Sequence, residues 1–160
     1  MEINLTKKLR LSIAMNHTSE GALLTNIILD IFKLNGLLVQ EGDKLVKELG
    51  LTSARWKVLG ALSSSETSLT VSGIARKMGQ SRQSVQRLAN DLADEGLLVG
   101  LDNPNNKKAK LYSLTNDGTD AFTQAMKKQS LWVNDIARGM SETELNSAST
   151  LLRELTLKLE

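Results

Sequence analysis

Apolar residues recur at three- and four-residue intervals through most of the chain, which predicts a mainly helical fold. The longest run extends from Leu23 to Leu49, about seven helical turns. Gly50 follows this run as a natural C-terminal stop. Gly36 and Gly42 weaken the run and are candidate bends.

A second, shorter helix is predicted after Thr52, whose side chain suits an N-cap. One side of this helix is apolar and carries Trp56, Leu59 and Leu62. The polar run SSSETS, residues 63–68, then predicts a loop.

The stretch GIARKMGQSRQSVQRLANDLADEGLLV predicts two helices joined by a tight turn. Thr70 is suited to cap a short helix, Val71 to Met78, and Gly79 can end it with a positive φ. Ser81 is suited to cap the next helix, Arg82 to Glu95. Two helices on such a turn form a helix-turn-helix.

The spacing of small and apolar residues supports this motif. Ala75 allows the two helices to approach closely, and an apolar stripe at helical spacing lets the second helix pack back on the first. This stripe consists of Val85, Leu88, Ala89 and Leu92.

The opposite side of the second helix is polar, and no acidic residue occurs in it before Asp91. Arginine and glutamine suit bidentate contacts with guanine and adenine, and Ser81 and Ser84 lie at the positive N-terminus, which favours phosphate. The expected reading residues are Ser81, Arg82, Gln83, Ser84, Gln86 and Arg87, with Asn90 on the same side. Taken alone, the same residues also suit an ordinary solvated helix face.

Two strand-like runs follow Gly96, at Leu97–Leu101 and Lys110–Leu114, and predict a hairpin. Its tip, DNPNNKKA, contains Lys107 and Lys108. A hairpin directly after a helix-turn-helix makes a winged helix, in which a basic tip can reach the DNA backbone or the minor groove. In isolation, two such lysines are usually solvated surface.

The C-terminal part predicts two more helices. Thr115 begins the fifth helix, in which Gly118 is an unfavourable residue for the first turn. Ser141 begins the sixth helix, and Glu144 completes a Ser-x-x-Glu capping box.

Composition excludes several kinds of site. The chain has no cysteine and one histidine, His17, so disulfides, thiolate sites and multi-histidine metal sites are excluded, and no cofactor is expected. Near the N-terminus the apolar stretch Leu11 to Met15 is too short for a signal sequence, and no run is read as a membrane span. We therefore expect a cytoplasmic protein with no membrane partner.

Positive charge is concentrated in the middle of the chain. Residues 71–115 hold 7 basic and 4 acidic side chains, against 8 and 7 in residues 1–70 and 5 and 7 in residues 116–160. The excess is modest, but it coincides with the predicted winged helix.

Three segments carry a resemblance to a known family: LTSARWKVLGAL, LTVSGIARKMGQSRQSVQRLANDLADEGLL and NPNNKKAKLYSLTNDG. From about Leu23 to its C-terminus the chain resembles the MarR family of bacterial transcription regulators. The resemblance implies a homodimer in which the first and last helices of both subunits interleave. It also implies two winged helices that reach adjacent major grooves of a palindromic operator on double-stranded DNA. In many members a small aromatic or phenolic effector releases the DNA.

This resemblance divides the chain into a helical dimerisation region, residues 1–50 and 116–160, and a winged helix-turn-helix DNA-binding domain, residues 51–115. The predicted fold class is therefore mainly α with a small β-hairpin wing. The residues expected to contact DNA from the wing and its flanks are Asn106, Lys107, Lys108, Lys110, Arg55 and Thr70.

The sequence departs from the family pattern at two places. At the wing tip the family's Asp-x-Arg corresponds to Asn106, Lys107 and Lys108, and lysine lacks the planar fork of arginine. We therefore expect weaker wing contacts, made mostly with phosphates. Arg55 precedes Trp56 where the family commonly has glutamine; it either adds a phosphate contact or is plain surface.

Leucine-rich terminal helices support a dimer without reference to the family. The last helix is apolar on one side, and such a side is buried either internally or in a partner. A helix-turn-helix protein generally needs two half-sites for adequate affinity, which favours the partner. The leucines concerned are Leu145, Leu151, Leu152, Leu155 and Leu159.

An effector pocket cannot be located from the sequence, because each candidate side chain also suits the core or the surface. The candidates are Trp56, Trp132, Phe32, Met15, His17 and Met126. Three functions are compared: a DNA-binding regulator acting as a repressor, a winged-helix interaction module, and an enzyme. The enzyme is disfavoured because the sequence has no cysteine, no glycine-rich phosphate loop and no carboxylate pair in a convincing setting. Asp91, Asp94 and Glu95 lie at the end of one helix, where a solvated face explains them.

Overall fold

The computed structural model describes residues 17–160, so Met15 lies outside the described residues. The chain divides into two compact units, one that ends at Ala54 and one that begins at Arg55.

The first unit is built on one long helix, α1 (Ser19–Val46). The Thr18 side chain caps it by accepting a hydrogen bond from the Gly21 N–H at 3.0 Å. Gly36 and Gly42, the candidate bends, both lie inside this single helix. One turn of 3-10 helix (Lys47–Leu49) continues the chain, and Gly50 ends it with a φ of 68°, as the sequence predicts.

The next helix starts on a buried serine that is held by two hydrogen bonds. The backbone N–H of Ser53 donates to the Asp43 carboxylate at 2.6 Å, and its hydroxyl donates to the Val39 carbonyl at 2.8 Å. Asp43 thereby satisfies an N–H that a helix start leaves without an intrahelical partner.

The second unit contains all but the first two residues of this helix, together with the remaining helices and a small sheet. Its elements, in chain order, are α2 (Ser53–Ser63), β1 (Leu69–Thr70), α3 (Val71–Met78), α4 (Arg82–Asp94), β2 (Leu98–Leu101), β3 (Leu111–Leu114), α5 (Asn116–Ile136) and α6 (Glu142–Leu159). The predicted fold class, helical with a β-hairpin wing, is confirmed.

The sheet has three antiparallel strands in the order β1-β3-β2, one more than the hairpin predicted from the sequence. β2 and β3 pair from Leu98 opposite Leu114 to Leu101 opposite Leu111. β1 adds two residues on the other side of β3, where Leu69 lies opposite Tyr112. A strand of two residues is too short to show alternation, so the sequence pattern could not reveal it.

The core of the second unit lies between α2, α3, α4 and the sheet. The predicted inner stripe of α4 is confirmed at Val85, Ala89 and Leu92, which are fully buried, whereas Leu88 is half-buried. The other buried apolar side chains include Val58, Leu59, Ile74, Ala75, Leu98 and Tyr112.

Gly118, which the sequence marked as unfavourable, is required where it stands. The Thr115 N–H donates to the Leu97 carbonyl at 3.1 Å, and this brings the start of α5 against the wing. A Cβ on Gly118 would lie 2.0 Å from the Leu97 oxygen. The low helix propensity of glycine is therefore outweighed by a close approach that only glycine allows.

The start of α6 differs from the sequence prediction. Ser141 is the N-cap residue, but its side chain makes no capping hydrogen bond, so the predicted capping box is wrong. No residue of α6 is buried, and an exposed serine can be satisfied by water instead.

Apolar exposure is greatest on α1 and α6. In α1 the exposed apolar residues are Leu23, Ile28, Leu29, Phe32, Leu34, Leu37 and Leu38. By length and composition the segment Ser19–Leu49 would also suffice to cross a membrane, contrary to the sequence interpretation. Core helices and helices that bury an apolar side in a partner have the same composition, so this feature alone is weak evidence for a span.

Substitution of Gly118 tests the close approach at the start of α5. We expect Gly118→Ala to lower the free energy of unfolding by about 3 kcal/mol, because the added Cβ overlaps backbone that cannot move aside. Urea unfolding at one fixed protein concentration measures this.

Gly73→Ala is the matched control. Gly73 is also the third residue of its helix, and its N–H also donates to a capping threonine, Thr70, at 3.2 Å. Its Cβ would meet the Leu69 side chain at an ordinary 3.6 Å. We expect a change within about 1 kcal/mol. Equal losses in the two variants would contradict the assigned role of Leu97.

Candidate nucleic-acid interface

The N-terminus of α4 has the geometry that the sequence predicts. Gly79 takes a φ of 61°, and its N–H bonds to carbonyls of α3. The Ser81 hydroxyl accepts a hydrogen bond from the Ser84 N–H at 3.2 Å. The helix therefore begins with one backbone amide capped, and the exposed Ser84 hydroxyl lies beside the positive end of the helix dipole.

Burial of one side of α4 exposes the other. Because Val85, Ala89 and Leu92 face the core, the polar residues between them face solvent. The exposed residues are Ser81, Arg82, Gln83, Ser84, Gln86, Arg87 and Asn90. The acid-free face predicted from the sequence is thus a real exposed surface.

Two of these exposed residues are joined to the sheet by hydrogen bonds. The Gln86 amide nitrogen donates to Asn90 Oδ1 at 2.9 Å and to the Tyr112 hydroxyl at 3.3 Å. The Tyr112 hydroxyl in turn donates to Asn90 Oδ1 at 3.3 Å. We call Gln86, Asn90 and Tyr112 the amide cluster; it connects α4 to the central strand of the sheet.

The wing tip is folded by two asparagines. Asn103 Oδ1 accepts from the Asn105 N–H, and Asn106 Oδ1 accepts from the Lys108 N–H, both at 3.0 Å. Each asparagine thus makes a local turn of the Asx type. The Asn106 side chain therefore stabilises the wing tip, and it does so through the backbone of Lys108 rather than through a side chain.

A cleft of about 570 Å³ lies between the start of α3, the polar face of α4 and the base of the wing. Its basic side chains are Arg82, Lys108 and Lys110, and none of its lining residues is acidic. Thr70, expected at the DNA flank, lines the cleft too, but its oxygen already caps α3. The lining residues are Thr70, Val71, Ser72, Arg82, Gln83, Gln86, Asn90, Lys108, Ala109, Lys110 and Tyr112.

Arg55 is part of the protein scaffold. Its guanidinium forms an ion pair with the Glu95 carboxylate at the C-terminal end of α4, and only 16% of its side chain is exposed. The two sequence interpretations, a phosphate contact and plain surface, both differ from this placement. The sequence drew attention to the residue, but its long-range partner could not be read from the sequence.

The residue that sequence reasoning missed in this region is Tyr112. It is the single tyrosine of the chain, and the residue is 5% exposed. The available signal was the strand-like run KLYSL, in which Tyr112 and Leu114 are two residues apart and so share one side of the strand. Nothing in that pattern identifies hydrogen-bond partners 26 and 22 residues away.

The structure also bears on metal binding and on the effector-pocket candidates. Within residues 17–160 there is no group of three or more histidine, aspartate or glutamate residues that could hold a metal ion. Of the effector-pocket candidates, Trp56 and Trp132 are half-buried, and His17, Phe32 and Met126 are exposed.

Comparison with known proteins agrees with this geometry. A model of the MarR family matches residues 49–109, the segment from the end of the 3-10 turn to the wing tip. An uncharacterized protein of Mycobacterium tuberculosis is 33% identical over 138 residues, which cover 86% of this chain and 94% of that protein. The transcriptional repressor MprA of Escherichia coli is 23% identical over 124 residues, 77% of this chain and 70% of MprA.

Solved structures share the fold over most of the chain. A transcriptional regulator of the MarR family from Rhodococcus superposes with a TM-score of 0.73 at 20% identity, covering 83% of this chain and 94% of its own. CouR from Rhodococcus jostii, bound to p-coumaroyl-CoA, gives 0.72 at 20% identity, with 81% and 90% covered. The M. tuberculosis regulator MOSR in complex with DNA gives 0.68 at 18% identity, with 83% and 97% covered.

The family is one of transcription regulators rather than enzymes, and its model falls on the helix-turn-helix and wing described above. The chain belongs to the MarR family of transcription regulators.

Proposed function

We propose that this protein is a sequence-specific DNA-binding transcriptional repressor that binds a palindromic operator as a homodimer. The observation that carries the proposal is the exposed, acid-free face of α4 beside a basic wing. Such a surface suits a helix that enters the major groove while the adjacent hairpin contacts the backbone.

Outside the amide cluster, the residues of this surface have distinct proposed contacts. Arg82, Gln83 and Arg87 read base edges in the major groove, because their side chains are exposed and long enough to reach them. Ser81 and Ser84 bind a phosphate at the N-terminus of α4. The wing residues Asn106, Lys107, Lys108 and Lys110 position the protein on the backbone. Arg55 acts indirectly, by fixing the end of α4 through Glu95.

A homodimer is proposed because α1 and α6 both expose many large apolar side chains, and exposed apolar patches commonly mark sites of protein interaction. The predicted apolar side of α6 is exposed at Leu145, Leu151, Leu152 and Leu159, and Leu159 is 87% exposed. Residues 1–50 and 116–160 form the proposed dimerisation region, and residues 51–115 the DNA-binding domain. A second copy that covers α1 and α6 also accounts for the apolar composition of α1 without a membrane.

Repression and its relief by a small aromatic effector are proposed from the relatives. MprA is named a transcriptional repressor, and CouR is solved with p-coumaroyl-CoA. Because the chain has no cysteine, an oxidation signal read by cysteine is excluded, so a non-covalent ligand is the proposed signal.

Selection of bound DNA from a random pool tests sequence-specific binding directly. We expect the wild-type protein to enrich a palindrome with half-sites about one helical turn apart. Arg87→Ala and Gln83→Ala should each weaken binding to that site by about 10-fold or more while binding to random DNA changes little.

Arg76→Ala is the matched control for these variants. It removes an exposed arginine from α3 that does not line the cleft, and we expect its selectivity to equal that of the wild type. No enrichment by the wild type would favour the alternative, a winged-helix module that binds protein.

The wing lysines should act through phosphates. For Lys107→Ala combined with Lys108→Ala we expect weaker binding to every sequence and a shallower dependence of the binding constant on salt. The slope should fall by about 0.9 for each phosphate that the variant no longer neutralises. Fluorescence anisotropy titrations at several salt concentrations measure both quantities.

The control for net charge is Lys57→Ala combined with Lys127→Ala, two exposed lysines on α2 and α5. An equal change of slope in both double variants would assign the effect to overall charge and contradict a specific wing contact.

The dimer is tested with a charge on the apolar side of α6. Leu152 is 47% exposed in the single chain, so Leu152→Lys is compatible with the fold of one subunit but would bury a lysine in the proposed interface. Sedimentation at micromolar concentration should show a monomer that no longer binds the palindrome. Asn146→Lys, on an already polar part of α6, should remain a dimer. A wild-type monomer would refute the dimer.

A further inference from the structure

The amide cluster restricts what Gln86 and Asn90 can offer to DNA. Tyr112 occupies the central strand, with Leu69 opposite it on one side and Gly100 on the other. Its ring is buried, so the position of its hydroxyl is fixed by the sheet rather than by α4. Both amides of the cluster therefore hydrogen-bond to a partner that the sheet holds in place.

Counting hydrogen-bond groups shows which atoms remain available. A glutamine amide has two N–H donors, and the Gln86 nitrogen donates to two acceptors, Asn90 Oδ1 and the Tyr112 hydroxyl, which matches the two N–H groups in number. Its carbonyl oxygen, Oε1, remains. Asn90 Oδ1 accepts from both Gln86 and Tyr112, which uses its two lone pairs and leaves the Asn90 N–H groups.

We infer that Tyr112 is a specificity-determining positioning residue, which makes Gln86 a hydrogen-bond acceptor and Asn90 a donor towards the major groove. This inference rests on the proposed DNA-binding function. It changes the sequence expectation for Gln86, because a bidentate contact with adenine needs one amide N–H in addition to the oxygen. An acceptor alone recognises an exocyclic amino group, adenine N6 or cytosine N4.

Tyr112 acts through the two amides and does not itself need to touch DNA. Gln86 and Asn90 are exposed and line the cleft, whereas the Tyr112 ring is packed beneath them. Removal of its hydroxyl should therefore free one Gln86 N–H without removing a reading side chain. The readout that separates this role from a structural one is the choice of base rather than the overall affinity.

The test starts from the operator selected by the wild-type protein. Comparison with the site selected by Gln86→Ala identifies the base pair that Gln86 reads. At that base pair, one functional group at a time is removed from the DNA. The exocyclic amino group is removed by replacing adenine with purine or cytosine with 2-pyrimidinone. In a second duplex, the carbonyl group of the paired base is removed instead. Binding of wild type, Gln86→Ala and Tyr112→Phe to each duplex is then measured.

Deletion of the amino group should weaken wild-type binding about 10-fold, and it should not affect Gln86→Ala. Tyr112→Phe should lose most of this discrimination, with its affinity for random DNA and its salt dependence unchanged. In the Gln86→Ala background, Tyr112→Phe should change nothing further in base preference. Ser113→Ala, which removes a hydroxyl from the next residue of β3, should discriminate like the wild type.

Three outcomes would overturn the inference. The first is sensitivity of the wild type to deletion of the carbonyl instead of the amino group, because this requires Gln86 to be the donor. The second is full discrimination by a folded Tyr112→Phe variant, verified by its thermal unfolding. The third is an equal loss on all duplexes. Failure of the wild type to select any DNA would instead refute the proposed function itself.

Discussion

The rest of the interface depends on the burial of the inner stripe of α4. Val85, Ala89 and Leu92 are completely buried, and burial of a valine or leucine side chain contributes about 1.5–3 kcal/mol. This burial fixes the rotation of α4 about its own axis, and it therefore determines which residues of α4 face solvent. Without this burial, the 13-residue helix would be only marginally stable, because isolated short helices are unstable in water. The proposed reading surface is thus a consequence of packing on the opposite side of the helix.

Sequence reasoning performed best where a local rule decides the structure. The helix bounds at Val71–Met78, the positive φ of Gly79 and the Ser81 cap all follow from interactions within three or four residues. Sequence reasoning failed where a group far away along the chain decides the structure. Gly118 was judged by its low helix propensity, but the Leu97 carbonyl, 21 residues away along the chain, excludes any Cβ there. Arg55 could be noticed from its position but not paired, because Glu95 lies 40 residues on. The acidic Glu144 suggested a capping box, although the cap bond is absent.

The wing illustrates how a departure from a family pattern can be assessed physically. Asn106 and Lys108 stand where the family pattern has an aspartate that holds an arginine, and this predicts weaker wing contacts. The structure shows that the asparagine side chain accepts a hydrogen bond from the Lys108 backbone at 3.0 Å, so the turn itself is retained. Lys108 lacks the planar, bidentate geometry of an arginine guanidinium and offers a compact positive charge instead. The wing is therefore suited to neutralise phosphates and less suited to discriminate by groove shape.

The amide cluster connects this wing to the reading helix and so joins two features that the sequence presents separately. A glutamine on an exposed helix face would ordinarily rotate among several side-chain conformations and lose that freedom on binding. Hydrogen bonds to a buried tyrosine reduce this loss, because the Gln86 amide is already held before DNA arrives. The same bonds use the N–H donors of Gln86. Its amide therefore presents only a hydrogen-bond acceptor, whereas a free amide could act as both donor and acceptor. In the proposed complex, specificity then depends on the sheet as well as on the helix. A change in β3 that moved the Tyr112 hydroxyl should alter the base preference of α4 without changing a residue of α4.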